Sequence, residues 1–385
     1  MTNHAALSSG DPSVLRRLNL QSVLRVLHAG GVYTITELSR RSQLSRPTTK
    51  QAVDDLVGAG WAAPVSPARS GTVIGRPAQG FEFRPEVGHV LAADVGSYKV
   101  VVLVGDLEGT VVARARVELE PSWPAERRLE ALGDAIDAAL AGFPPGADAI
   151  TEAVVATPGT VDRHGVVVYN TVIPGWQGQS PASWVGERYP FRVVGTSDMP
   201  MAGLAEHWRG AAQDASDIVY LHIGRRIGAA ALIGGRPHNG HHGAASQIGL
   251  WRAIPWRADY GPLLHLAERP GEFDTRAVFS AAAAGDPDAQ TRVDTFVDEI
   301  VAGLVPTIIA IDPELLVIGG GVSAAGDAIA APVRARIEAE TPFPPAVVCS
   351  SLGDEAVAAG AMRLALDRAE ERLFAELAPR TLLVD

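Results

Sequence analysis

Apolar residues in the first sixty positions recur at the three- and four-residue spacing of amphipathic helices. Leu15, Leu18, Val23, Leu24, Val26 and Leu27 mark one helix from Pro12 to Ala29, stopped by Gly30 and Gly31. Thr34-Ile35-Thr36-Glu37 has the form of a capping box and predicts a short helix over 35–41 with Leu38 inward. Ser42-Gln43-Leu44 is then a tight connection into the stretch LSRPTTKQAVDDLVGAG, residues 44–60. There Ser45 is a good N-cap and Pro47 falls in the first turn, where its missing donor costs nothing. Val53, Leu56 and Val57 form the buried stripe and Gly60 the stop. Two short helices joined so closely predict a helix-turn-helix. Short strands at Trp61–Val65 and Gly80–Phe83, flanking a polar loop over 66–79, complete the winged form.

From residue 89 the pattern changes to continuous apolar runs alternating with helical stretches. Strands are predicted at 89–96, 99–105, 110–119, 153–162, 192–198, 218–223, 227–233 and 315–318. Helices are predicted at 125–141, 202–209, 275–284, 290–311, 328–339 and 354–377. Strand triplets followed by helices, occurring twice, imply two related α/β lobes with a cleft between them. Three units follow: 1–86, 87–198 and 199–385, with the C-terminal helix a candidate to return to the first lobe.

Charge sharpens this division. Residues 1–88 hold ten Arg/Lys against six Asp/Glu, a net of +4, while the remainder holds 23 against 38, a net of −15. The total of −11 therefore conceals a positive end. That end suits a polyanion, and the acidic body would repel one. The single cysteine, Cys349, excludes an intrachain disulfide and a thiolate zinc cluster. The N-terminal stretch lacks the apolar core of a signal peptide. The longest apolar run, 304–322, is interrupted by Pro306, Asp312, Pro313 and Glu314, which argues against a membrane span. A cytoplasmic protein without a membrane partner is expected.

Candidate chemistry falls at both ends of this arrangement. Ser45, Arg46, Pro47, Thr48, Thr49 and Lys50 crowd the start of the third helix with short donors and cations, which suits a DNA major groove. The plainer alternative is a surface helix with a basic start. Arg69, Arg76 and Pro77 in the wing are placed to reach phosphate or the minor groove. In the body, Asp94-x-Gly96-x-x-Lys99 at a strand end is a phosphate-cradling pattern, weak by itself, and Arg192–Asp198 is a strand ending in an acid. His238, His241 and His242 lie among Pro237, Gly240 and Gly243, so they are read as a solvated loop and not as a metal site.

The segments LRRLN, LSRPTTKQAVDDLVGAG, GRP, ADVGSYK, TPGTVD, VIPGW, TSDMPMAGLAEHW, HGAASQIG, DPELLVIGGGVS and LGDEAVAAGA together resemble the ROK family of repressors and sugar kinases, over about residues 15–366. The resemblance implies an actin-like or ribonuclease-H-like two-lobed α/β body, and the N-terminal winged helix-turn-helix implies the family's regulator branch. It also places Asp198 where the kinases keep their general base. Several positions depart from the kinase pattern. Arg225 and Arg226 occupy a phosphate turn that is normally Gly-rich. Val172 stands where an amide would hold a sugar hydroxyl. Leu250 replaces a zinc-ligating His, and the Cys cluster that follows it in the family is missing.

These features lead to an expectation of a DNA-binding transcriptional regulator, more specifically a repressor, whose kinase-like body is catalytically inactive and takes a carbohydrate-related effector. Its effector contacts would be Gly159, Trp176, Asp198, Arg225, Arg226 and Gln247, with Asp198 a vestigial base. No metal and no cofactor are expected. The partners would be an operator duplex, a sugar or sugar phosphate, and further copies of the chain in a homodimer or homotetramer. Two alternatives stay open: an active ATP-dependent sugar kinase carrying a DNA reader, and a regulator whose cleft is empty.

Overall fold

A computed structural model describes residues 12–65, 78–171, 173–224, 226–245, 247–251, 254, 256 and 275–376. Arg69, Arg76 and Pro77 of the wing, Val172 and Arg225 lie outside the described residues.

The N-terminal unit runs α1 (Pro12–His28), β1 (Tyr33–Thr34), α2 (Ile35–Ser42), α3 (Arg46–Gly58), β2 (Ala62–Val65) and β3 (Gly80–Phe83), with the strands ordered β1-β3-β2. The capping box forms: the Thr34 hydroxyl accepts from the Glu37 N–H at 3.3 Å, and the Glu37 carboxylate accepts from the Thr34 N–H at 2.8 Å. Gln43 takes the left-handed conformation that turns the chain between α2 and α3. Val23, Leu24, Leu27, Leu38, Val53 and Leu56 are shielded from water. Leu15 and Leu18 lie on the outer face of α1, exposed.

A short 3-10 turn at Pro85–Val87 links β3 to the strands that follow. β4 (His89–Val95), β5 (Lys99–Asp106) and β6 (Val111–Glu118) form an antiparallel meander, and α4 (Ala125–Ala141) crosses to β7 (Ile150–Thr157), which pairs parallel with β4. A small hairpin of β8 (Thr160–Val161) and β9 (Val167–Tyr169), α5 (Pro181–Gly186) and β10 (Arg192–Ser197) complete a five-stranded sheet ordered β10-β7-β4-β5-β6 with the hairpin beside it. Every residue of β4 is buried, as befits a central strand covered on both faces.

α6 (Asp198–Arg209) leads to the second sheet. β11 (Ile218–Ile223), β12 (Ile227–Ile233) and β13 (Arg236–Pro237) are followed by α7 (Thr275–Ala283) and α8 (Pro287–Ile311), then β14 (Leu315–Gly319), α9 (Asp327–Glu340), β15 (Ala346–Cys349) and α10 (Ala356–Glu376). The order is β13-β12-β11-β14-β15. Two five-stranded mixed sheets with a helix pair between them make the two-lobed, actin-like α/β architecture. α10 closes this arrangement by packing against α6 and against β4 and β7 of the first sheet.

The helix α8 runs through Pro306, as the predicted span 290–311 does. No helix among the described residues is long and apolar enough to cross a membrane.

Candidate DNA-reading end and inter-lobe cleft

The third helix is fixed from behind and open in front. The Ser45 hydroxyl accepts from the Thr48 N–H at 3.3 Å and shares a hydrogen bond with the Thr48 hydroxyl at 2.8 Å. Arg16 of α1 grips Asp55 through two hydrogen bonds of 2.8 and 2.7 Å, and Gln51 donates to the same carboxylate at 3.1 Å. Arg16 and Gln51 hold Asp55 below the usual carboxylate range against the opposing effect of burial. The exposed residues at the front are Ser45, Arg46, Pro47 and Lys50, with Thr48 half-buried. Lys50 lies 2.5 Å from Asp54 on the solvent side, a pair that water and salt loosen readily. Thr49 departs from the expected set: it is wholly buried and its hydroxyl donates to the Ser45 carbonyl at 2.9 Å, so it secures the first turn and presents nothing to a ligand. Arg41 stacks on the Tyr33 ring at 5.0 Å, a basic position close to α3 that the sequence reading passed over.

Five elements bring ionisable groups together where the two sheets meet, the region called the cleft. Asp94 comes from the end of β4, Lys99 from the start of β5, Asp198 from the first turn of α6, His222 from β11, and Asp354 from the turn before α10. Burial, and then the nearby Asp198, push the Asp94 carboxyl up to about 7. Burial alone raises Asp198 to about 6, although its carboxylate accepts from the Met199 N–H at 2.8 Å. Burial and the Lys99 charge lower His222 to about 4, so its imidazole is neutral near pH 7. Lys99 donates to the Asp354 carbonyl and sits 3.1 Å from its carboxylate, to which Arg116 of β6 donates at 2.6 Å. Arg116, then Lys99, hold Asp354 below its ordinary range.

Arg128 secures the β4–β5 turn that carries Gly96 and Ser97. Its guanidinium is fully buried and donates to five carbonyls, those of Gly96, Ser97, Glu120, Pro121 and Trp123, at 2.9–3.1 Å. Sequence pattern offers no sign of this role, because Arg127-Arg128 reads as an ordinary charged pair on a helix.

Of the expected effector contacts, Asp198 lies near Asp94 at the start of α6. Arg226 is exposed on the β11–β12 turn, where the Gly224 N–H donates to the Arg226 carbonyl at 3.0 Å. A backbone donor of the kind that cradles phosphate is thus used inside the hairpin. Gln247 is half-buried at the start of a 3-10 turn at Ile248–Leu250. Trp176 is corrected: its side chain is completely buried, and its indole N–H donates to the Thr157 hydroxyl at 2.8 Å. A satisfied indole in the core cannot stack on a ligand. Gly159 has φ +107°, and a side chain there would collide with the Tyr169 carbonyl, so glycine is required by the backbone. Asn170, which the sequence reading did not single out, braces this loop by donating to the Pro158 carbonyl at 2.8 Å and accepting from the Ile173 N–H at 2.7 Å. His241 and His242 meet edge to face on a loop.

The family model described as the ROK family matches residues 90–262 and 252–368. The chain belongs to the ROK family. A glucokinase of Halalkalibacterium halodurans is 26% identical over 239 residues, 54% of this chain and 72% of that one. A xylose repressor of Caldicellulosiruptor bescii is 22% identical over 240 residues, 62% of this chain, and the alignment spans 60% of the repressor's length. Among solved structures, a ROK family transcriptional regulator described as a homolog of E. coli MLC protein superposes with a TM-score of 0.72 at 19% identity, covering 94% of this chain and 98% of that one. A ROK glucokinase from Streptomyces griseus, in complex with glucose and AMPPNP, superposes with a TM-score of 0.60 at 23% identity, covering 73% of this chain and all of its own. The ROK fold therefore extends through the body, and the regulator's fold extends through the N-terminal unit as well.

Proposed function

We propose that this protein is a DNA-binding transcriptional regulator, acting as a repressor, whose body takes a small carbohydrate-related effector and transfers no phosphoryl group. The observation that carries this reading is α3. Its back is locked by the Arg16–Asp55 pair and the Thr49–Ser45 contact, and its N-terminal end presents Arg46, Pro47 and Lys50 to solvent. A rigid helix with cations at its first turn matches the major-groove geometry of helix-turn-helix readers. Residues 1–86 serve as reader, with lobes over 87–198 and 199–385, in a cytoplasmic homodimer or homotetramer on a two-fold operator.

Two features of the cleft support loss of catalysis. Lys99 and Arg116 are engaged by Asp354, and Gly224 spends its N–H on its own turn. Asp198 retains a raised pKa suited to a general base, so the inactivity lies on the phosphate side. Purified protein supplied with ATP, magnesium and a panel of hexoses should release no ADP above background. Steady turnover that vanishes in Asp198→Asn would establish the kinase reading instead.

A further inference from the structure

α10 is a single helix with the cleft at one end and the DNA-reading unit at the other. Asp354 stands at the turn that feeds its first residue, Ala356, and Glu370 lies about 21 Å along the helix from Ala356 at 1.5 Å per residue. At the far end Leu366, Ala369 and Leu373 join the same apolar cluster as Val23, Leu24 and Leu27 of α1 and Phe83 of β3. Glu370 Oε1 lies 4.0 Å from His28 Nδ1 of α1. Between the ends, the helix is packed too closely to bend independently of its neighbours. A methyl group at Gly360 would overlap the Met201 carbonyl of α6, and one at Gly105 of β5 would meet Met362 Sδ at 2.8 Å. α10 is thus a stiff element that spans both ends, touching α1 through Glu370 and the apolar residues around it.

The contact at the cleft end is asymmetric. The Lys99 side chain is 17% exposed, whereas that of Asp354 is 63% exposed. An exposed carboxylate is held loosely, because solvent and salt compete for it at little cost. The lysine, by contrast, needs an anion beside it, and Arg116 presents a second cation at the same point. Arg114 and Glu355 face each other at 3.7 Å just outside. Glu118 of the same strand accepts from Arg116 at 2.6 Å and so shares that cation with Asp354. Further in, Asp94, Asp198 and His222 face the cluster, none of them positive near pH 7.

We propose that Asp354 is an internal stand-in for the acidic group of a cleft ligand. A small molecule bearing a phosphate or carboxylate takes Lys99 and Arg116 from Asp354, releases the first turn of α10, and thereby reseats α1 of the reader. The consequence for DNA rests on the regulator reading; the movement itself does not. Such a ligand shifts the equilibrium only through its preference for the released state.

Hydrogen–deuterium exchange on the full-length protein tests this without requiring DNA. Asp354→Asn and Lys99→Met should each raise exchange by about threefold or more in 366–373 and in 20–28, and the double variant should equal the single ones, since all three break one contact. Circular dichroism checks that each variant is folded. If Asp354→Asn is not, Lys99→Met carries the same comparison. In the wild type, inorganic phosphate and glucose 6-phosphate should raise exchange in the same segments, and Lys99→Met should abolish the response. A phosphate response of equal size assigns the site to the bare anion, and a larger glucose 6-phosphate response assigns it to the phosphorylated sugar. Changes confined to 97–99 and 353–356, additive effects, or no response to either anion overturn the proposal. With a duplex selected from random sequence by the wild type, Asp354→Asn should also change affinity by about tenfold. Failure of the wild type to enrich any duplex would overturn the regulator reading while leaving the exchange result standing.

Discussion

In the N-terminal unit, the contacts that position α3 mostly join near neighbours. Thr34 meets Glu37, Ser45 meets Thr48, and Ser39 donates to the Leu44 carbonyl. In the cleft, Lys99 reaches Asp354 across 255 positions and Arg116 reaches the same residue across 238. The reader is thus specified by local capping and spacing, and the cleft by the sheet topology that brings five distant segments together. Changes in the reader should cost about what a cap or a contact costs. Changes in the cleft should alter pH behaviour and coupling.

The largest expected effect is in the body. Arg128→Met removes a buried guanidinium that donates to five carbonyls and should cost about 3 kcal/mol in chemical denaturation. A cost below about 1 kcal/mol would show that the β4–β5 turn holds itself. Next is Asp94→Asn. The folded carboxyl titrates near 7 against an ordinary 3.8, so the native state keeps its proton longer than the unfolded chain. Wild-type stability is therefore lost as pH rises from about 4 to 7, and the neutral variant escapes that loss. The variant should gain about 1–3 kcal/mol relative to wild type at pH 8 compared with pH 4. A constant difference across that range would contradict the burial of Asp94. The smallest effect is in the reader: Thr34→Ala removes one cap and should cost about 1 kcal/mol, insensitive to pH between 6 and 8.

The same contrast explains how much was legible in the amino-acid sequence. Capping box, N-cap, Pro47 and the Val53–Leu56 stripe predict α2 and α3 to within a residue or two, because each signal is local. α4, β11 and β12 fall at their predicted bounds for the same reason, as long periodic or apolar runs. β15 was missed: four residues between prolines and serines carry too short a pattern, and parallel pairing with β14 alone makes them a strand. Thr49 and Trp176 were misplaced because a motif gives residue types without their direction. A threonine one turn into a helix can bond back to the preceding carbonyl, and an indole beside a threonine hydroxyl can turn inward. Asp354 lies in a segment that carries the family resemblance, but its role carried no local signal, since its partners Lys99 and Arg116 are 255 and 238 positions away.

The account depends most on α3 touching DNA. Duplexes enriched from a random pool by the wild-type protein should bind it in fluorescence anisotropy with an affinity that falls steeply with salt. Arg46→Ala should weaken binding of the best duplex by about 1–3 kcal/mol and relax sequence preference, whereas Arg226→Ala on the distant β11–β12 turn should leave that affinity unchanged. Equal binding by wild type and Arg46→Ala, or no enrichment of any sequence, would contradict the assignment of this helix as the reader.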